Sequence, residues 1–270
     1  MATQTDRAAA LPRVIQGGMG VAVSSWQLAH EVSRAGGLGV VSGTALDIVV
    51  ARRLQDGDPH GDVRRALAAF PVPEVAAEVL DRYFVEGGRA AGTPYLPTAR
   101  PSIDPGIRAQ RLIVVGNFVE VWLAKEGHGG VVGVNYLEKI QMTTPAAAYG
   151  AMLAGVDAVL MGAGIPAHIP AMLDDLAAGR ATSLPVDVAD AGDRTYCVEF
   201  DPAAVMGTEI APPARPAFLA IVSSHVLASY LARGEATRPD GGFCRVVPWL
   251  ALVKEVPPVA RHAGAVADPP

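Results

Sequence analysis

The chain has 270 residues, half of them hydrophobic and 18% charged, which is enough apolar material for the core of one sizeable domain. A formal net charge of −5 without any run of lysine or arginine argues against a nucleic-acid partner, which would leave a basic stripe. No apolar run reaches the ~18 residues of a membrane span. Two cysteines, Cys197 and Cys244, are too few for a disulfide framework. We therefore expect a cytoplasmic protein with no membrane and no nucleic-acid partner.

The first part of the chain predicts one β-loop-α-β unit, the repeat of a parallel α/β fold. The apolar pair Val14-Ile15 leads into a glycine-rich loop, Gln16-Gly17-Gly18-Met19-Gly20. Ser24 and Ser25 are suitable N-caps for a helix over 26–35, in which apolar residues recur at helical spacing. A second buried strand is predicted over 38–41.

Strands and helices alternate again after an irregular segment. Residues 47–110 combine helical pieces with a proline-rich stretch from Thr93 to Pro105, and this segment is predicted to be an insertion in a βα connection. Beyond it we predict strands at 131–136, 156–161, 197–200 and 218–222, and helices at 118–126 (with Asn117 as N-cap), 143–154, 165–178 and 225–232. The pattern amounts to roughly five βα units, where a closed barrel needs about eight.

Glycine and polar residues fall at the carboxyl ends of successive predicted strands. They are the loop at 16–20, Ser42-Gly43-Thr44, Asn135, and Gly162-Ala163-Gly164. In a parallel barrel these ends converge on one mouth, where sites are built. Tight turns are the simpler explanation for the glycines. Asn135 is more informative, because a buried amide within an apolar strand needs hydrogen-bond partners. Lys139 and Gln141 follow just beyond that strand.

Several common catalytic motifs are missing from the sequence. The first loop is neither the Gly-x-Gly-x-x-Gly fingerprint of dinucleotide-binding folds nor a phosphate-binding P-loop. The histidines lack metal-ligand spacing, and no Gly-x-Ser-x-Gly elbow of a hydrolase is present. The glycine blocks therefore carry the functional prediction.

Together, these blocks resemble the FMN-dependent nitronate monooxygenase (2-nitropropane dioxygenase) family, which is related to FMN-dependent enoyl reductases of fatty-acid and polyketide synthesis. The resemblance covers roughly residues 12–243. The matching segments are Ile15-Gln16-Gly17-Gly18-Met19-Gly20, Ala35-Gly36-Gly37-Leu38-Gly39-Val40-Val41-Ser42-Gly43, Gly133-Val134-Asn135-Tyr136-Leu137-Glu138-Lys139-Ile140-Gln141, Ala154-Gly155-Val156-Asp157 and Met161-Gly162-Ala163-Gly164-Ile165-Pro166.

The resemblance implies a TIM-type (β/α)8 barrel that binds FMN at its carboxyl mouth. The backbone of Gly17, Gly18 and Met19 would lie against the isoalloxazine ring, and Asn135 would hydrogen-bond to the flavin. The other residues that the resemblance places in the same pocket are Ser42, Gly43, Lys139, Gln141, Gly162 and Gly164. The implied reaction oxidises alkyl nitronates with dioxygen. In the reductase branch, a reduced nicotinamide nucleotide supplies electrons for an enoyl thioester.

The sequence departs from the family after the strand at 218–222. The family continues into a strand that ends in Gly-Gly-His, whose histidine is the usual acid/base candidate. Here the chain reads Gly242-Phe243-Cys244-Arg245, and Gly-Gly-His occurs nowhere. No catalytic residue is therefore assigned. We expect a partial barrel domain over 1–243, shortened by a truncation or frameshift, and an aberrant, poorly ordered tail over 244–270.

These expectations leave alternatives open. An FMN-dependent nitronate monooxygenase is the first, an enoyl reductase the second, and an inactive remnant of a flavoprotein the third. A barrel lyase or isomerase that binds phosphate is a fourth, disfavoured because the expected phosphate loop is missing. An incomplete barrel should also leave one face of its sheet uncovered, which predicts either poor folding or a homo-oligomer.

Overall fold

The structure, a computed structural model, describes residues 12–190, 192–222, 224–233 and 239–244. The predicted tail lies outside these residues apart from Cys244. The helices are α1 (Trp26–Arg34), α2 (Leu46–Gln55), α3 (Asp62–Ala68), α4 (Pro73–Tyr83), α5 (Ile107–Lys125), a 3₁₀ helix (Gln141–Thr143), α6 (Thr144–Leu153), α7 (Ile169–Ala177), α8 (Pro202–Met206) and α9 (His225–Arg233). The strands are β1 (Gly39–Ser42), β2 (Val132–Leu137), β3 (Ala158–Gly162), β4 (Thr182–Val186), β5 (Tyr196–Phe200), β6 (Ala217–Ile221) and β7 (Gly241–Cys244).

A parallel sheet forms the centre of the molecule, with its strands in the order β1-β2-β3-β6-β7. The α/β fold predicted from the sequence is thus confirmed, and β2, β3 and β6 begin and end within two residues of their predicted positions. Ile15 adds a parallel bridge to Leu38, just before β1. The side-chain amide of Gln16 extends this pairing, because it accepts from the Val40 N–H and donates to the Val40 carbonyl, each at 3.1 Å.

Proline marks where many of the helices begin. Pro73, Pro145, Pro170 and Pro202 each occupy one of the first two positions of a helix. Proline is tolerated there because the first N–H groups of a helix have no partner within the helix. Asp201 also caps α8, since its carboxylate accepts from the backbone N–H groups of Ala203 and Ala204.

The two faces of the sheet belong to different clusters of buried residues. One face, which includes Val134 and Phe218, packs with the helices in the main core. The other face forms a small cluster of strand residues: Leu38, Val40, Ala158, Leu160, Ala217 and Leu219. All six are at most 5% exposed. The expectation of an uncovered face is therefore wrong.

Two aspartates fix the strands at the amino edge of the sheet. Asp157 precedes β3, accepts the Val132 N–H at 2.8 Å and pairs with Lys125 at 2.5 Å. Asp240 precedes β7 in the same way, accepts the Phe218 N–H at 2.8 Å and pairs with Arg215. Each carboxylate links the start of a strand to the start of the previous strand in the sheet. This role is structural, because it lies at the end of the sheet opposite to the candidate site.

The structure corrects the helix predicted at 118–126. α5 begins eleven residues earlier, at Ile107, and Asn117 is not its cap but a buried residue in its middle. The Asn117 amide donates to the Ile113 carbonyl at 2.9 Å, and its oxygen lies 2.9 Å from the Tyr136 hydroxyl. The strand predicted at 197–200 is confirmed as β5. It pairs antiparallel with β4, which was not predicted, and the short α8 follows it.

Candidate active site at the carboxyl ends of the strands

Asn135 joins the first loop to the middle of the sheet. It lies near the end of β2, and its side-chain N–H donates to the Gly18 carbonyl at 2.6 Å. Its Oδ1 atom is buried without a hydrogen-bond partner. An unpaired buried oxygen is costly in a folded protein. Asn135 therefore has one atom used by the fold and one acceptor available to a ligand.

Ser24 holds the loop that carries Gly17, Gly18 and Met19. Its hydroxyl donates to the Gly17 carbonyl and accepts from the Met19 N–H, both at 3.0 Å. Its own N–H donates to the Met19 carbonyl at 3.1 Å. Ser42, at the end of β1, attaches this loop to the sheet through its hydroxyl, which donates to the Gly20 carbonyl. The predicted site residue Ser42 thus uses its hydroxyl within the protein.

Packing between protein atoms explains two of the predicted glycines. A Cβ on Gly18 would lie 2.7 Å from the Asn135 Cβ and 2.8 Å from a Val40 methyl. A Cβ on Gly43 would lie 2.3 Å from the Tyr136 ring. Both glycines let a loop approach the sheet closely, and neither contact requires a ligand.

A second group of site residues is built around Glu138. Its carboxylate accepts from the Gln141 amide at 2.8 Å and would lie 1.8 Å from a Cβ on Gly164. Gln141 in turn accepts from the Asp187 N–H at 2.8 Å, just beyond β4. The Glu138 N–H donates to the Gly162 carbonyl at 2.9 Å. The loops after β2 and β3 are therefore linked to each other and to the β4–β5 hairpin.

Lys139 and Met19 are the exposed members of the predicted set. The Met19 side chain is 63% exposed, and Lys139 is exposed without a hydrogen bond or ion pair to any other described residue. Gly162 is buried against Ile221 of β6, since a Cβ added at Gly162 would lie 3.0 Å from the Ile221 Cβ. The neighbouring Ala163 has a φ of 64°, a left-handed conformation that costs a non-glycine residue roughly 1–2 kcal/mol.

Backbone N–H groups are also free at these strand ends. No carbonyl or side chain of the described residues accepts the N–H of Gly17, Gly18, Ala163 or Gly164. Together with the Asn135 oxygen, they offer both donors and an acceptor to a planar polar ligand. The Tyr136 hydroxyl faces the helices instead, and burial raises its pKa well above the usual value, so that it stays neutral.

Three residues of this arrangement did not stand out as site residues in the sequence. Gln16 belongs to the predicted loop, and only the structure shows that its side chain pairs with the backbone of Val40. Ser24 and Ser25 were both predicted as N-cap candidates. Ser25 is the N-cap residue of α1, although it makes no side-chain capping bond, and Ser24 instead holds the loop. Glu138 lies between more conspicuous residues, and only the close approach of Gly164 shows its role.

Other kinds of site are not seen in the described parts of the chain. No group of three or more histidine, cysteine, aspartate or glutamate side chains there is arranged to hold a metal ion. In the same residues, no helix combines the length and the apolar character that a bilayer crossing requires. No protein-family model matches the chain, and no curated protein is significantly similar to it.

Proposed function

We propose that the chain binds FMN at the carboxyl ends of its parallel strands and is an oxidoreductase of the nitronate monooxygenase kind. The unpaired Oδ1 of Asn135 carries this proposal, since it is a buried acceptor held at the strand ends by the Asn135–Gly18 hydrogen bond. A flavin has an imide N–H that matches such an acceptor. Its ring oxygens match the free N–H groups of Gly17 and Gly18.

The residues present fit the isoalloxazine part of FMN. They offer one acceptor, several backbone donors and an exposed apolar side chain, Met19, on a loop that Ser24 fixes. Lys139 would place a positive charge at the rim of the site, where it favours the reduced, anionic ring. FMN would supply two-electron chemistry between an organic substrate and dioxygen. The protein's part is to bind, orient and shield the reacting atoms.

The strand order supports a barrel-type architecture. Parallel strands follow one another in chain order without a reversal, and among the described residues the helices pack against only one of the two faces. Open doubly wound sheets instead reverse their order at a switch point and carry helices on both faces. We propose that the described sheet is an arc of a TIM-type barrel, with its small inner cluster on the barrel axis.

The acid/base group is left unassigned by this proposal. β7 follows β6 in the sheet, the position at which the resemblance expects a strand ending in Gly-Gly-His, but β7 ends in Phe243-Cys244. The described strand ends provide donors, one acceptor and a lysine, which bind and orient a substrate. The proposed activity therefore depends on flavin chemistry more than on proton transfer by a histidine.

Flavin content tests the proposal directly. The full-length protein is incubated with FMN and desalted, and its visible spectrum is recorded. Absorption bands at ~370 and ~450 nm that remain with the protein after desalting are expected if flavin is bound. Loss of these bands when an alkyl nitronate is added, and their return with dioxygen, would support the monooxygenase. Reduction by NADH followed by turnover of an enoyl thioester would instead favour the reductase. A colourless desalted protein would contradict the proposal and favour the inactive remnant.

A further inference from the structure

Three arginine side chains line an open cleft between α4 and the start of α5. They are Arg82 near the end of α4, and Arg108 and Arg111 on α5. The cleft is open to solvent and has a volume of about 130 Å³, which is enough for a small anion but less than the sites of drug-sized ligands. Among the described residues that line it, Glu78 is the one acid. Three positive charges and one negative charge leave a net of two positive charges.

The position of the arginines on α5 is unfavourable for the helix itself. The amino end of a helix carries a partial positive charge and favours acidic residues. α5 has 19 residues, no acidic residue in its first turn, Arg108 within that turn and Arg111 shortly after it. Glu78 offsets part of this charge from α4. A bound anion beside the guanidinium groups would offset the rest.

The hydrogen bonds leave donors free to meet such an anion. Arg111 is fixed, since it pairs with Glu78 at 2.6 Å and donates to the Val205 carbonyl at 2.7 Å. The Nε atom of Arg108 lies 3.2 Å from the Glu78 carboxylate, and the Arg108 side chain is 81% exposed. Arg82 is exposed and donates from its Nε to the Tyr83 hydroxyl at 3.3 Å. The terminal nitrogens of Arg108 have no acceptor among the described residues.

We propose that this cleft binds a phosphate group, either as inorganic phosphate or as the phosphomonoester of a small molecule. A phosphate dianion matches the net charge of two, and planar guanidinium groups bind its oxygens in pairs. None of the strand-end residues lines this cleft. The proposal is therefore independent of flavin binding, and either one can fail without the other.

Calorimetric titration of the full-length protein tests the cleft. Inorganic phosphate and ribose 5-phosphate are titrated at constant ionic strength. Saturable binding of one or both is expected. Equal dissociation constants identify the free anion as the ligand, and a constant at least tenfold lower for the ester identifies a phosphorylated small molecule. A titration without saturation below roughly 10 mM for both would overturn the proposal.

Three variants separate a site from general charge attraction. Arg108→Gln should weaken phosphate binding about tenfold, because it removes a charged donor with few contacts inside the protein. Arg180→Gln is the matched control, since Arg180 is 61% exposed and pairs with Asp175 elsewhere, and it should leave binding unchanged. Glu78→Gln should tighten binding severalfold by removing the opposing carboxylate. Equal weakening by Arg108→Gln and Arg180→Gln, or weaker binding by Glu78→Gln, would refute the cleft.

Discussion

Replacing Asn135 with leucine removes both of its roles at the strand ends. Leucine has a similar size but removes both the bond to the Gly18 carbonyl and the unpaired Oδ1. Loss of one neutral hydrogen bond to the flavin costs about 1 kcal/mol, which corresponds to about a fivefold rise in the FMN dissociation constant. Displacement of the Gly18 loop adds to this loss. We therefore expect an increase of about five- to thirtyfold, measured by fluorescence quenching of FMN.

Asn117 provides the matched control for this experiment. Asn117 is an asparagine that is 2% exposed and makes two hydrogen bonds inside the protein, but it lies on the helix side of the sheet. Asn117→Leu should lower the urea midpoint while leaving the FMN dissociation constant of the folded protein within about twofold of wild type. Unchanged FMN binding by Asn135→Leu, or equal weakening by both variants, would refute the role given to Oδ1.

Two further predictions concern the core around α5. Gly150→Ala would bring a Cβ within 2.1 Å of the Val114 carbonyl oxygen, so urea titration should show a loss of about 2 kcal/mol, whereas Gly129→Ala, with open space around it, should show none. Equal stability of the two variants would contradict this. Burial raises the pKa of Glu120 above its usual 4.5, so the stability of wild type should fall relative to Glu120→Gln as pH rises above that value. A stability difference between wild type and Glu120→Gln that does not change with pH would contradict the raised pKa of Glu120.

The positions of β1, β2, β3 and β6 were predicted within two residues because each is a short apolar run, which is a local pattern. β7 was not predicted. The first part of α5 was missed because residues 112–116 are an unbroken run of buried apolar or small residues without a helical stripe. Helical periodicity disappears when most sides of a helix are covered. The same cause made Asn117 look like a cap, although it is a polar residue within that buried helix.

The sequence predicts where the candidate site lies better than it predicts which side chains contact each other there. Strand ends can be read from the chain, so Gly18, Gly43 and Asn135 were correctly expected to lie close together, as their contacts show. The partner of each side chain depends on residues far apart in sequence. The Asn135–Gly18 bond, for example, joins positions 117 residues apart. No local pattern predicts that one Asn135 atom is used and the other is free.

The four hydrogen bonds of Ser24 have a thermodynamic consequence for any ligand at the strand ends. They comprise the two bonds of its hydroxyl, the bond of its N–H to Met19 and the bond that its carbonyl accepts from the Ser42 N–H at 2.9 Å. A loop fixed in this way has already lost its conformational entropy when the protein folds. A ligand that binds a flexible loop loses affinity because the loop must become ordered. Here the loop is already ordered, so more of the free energy of its contacts contributes to the measured affinity.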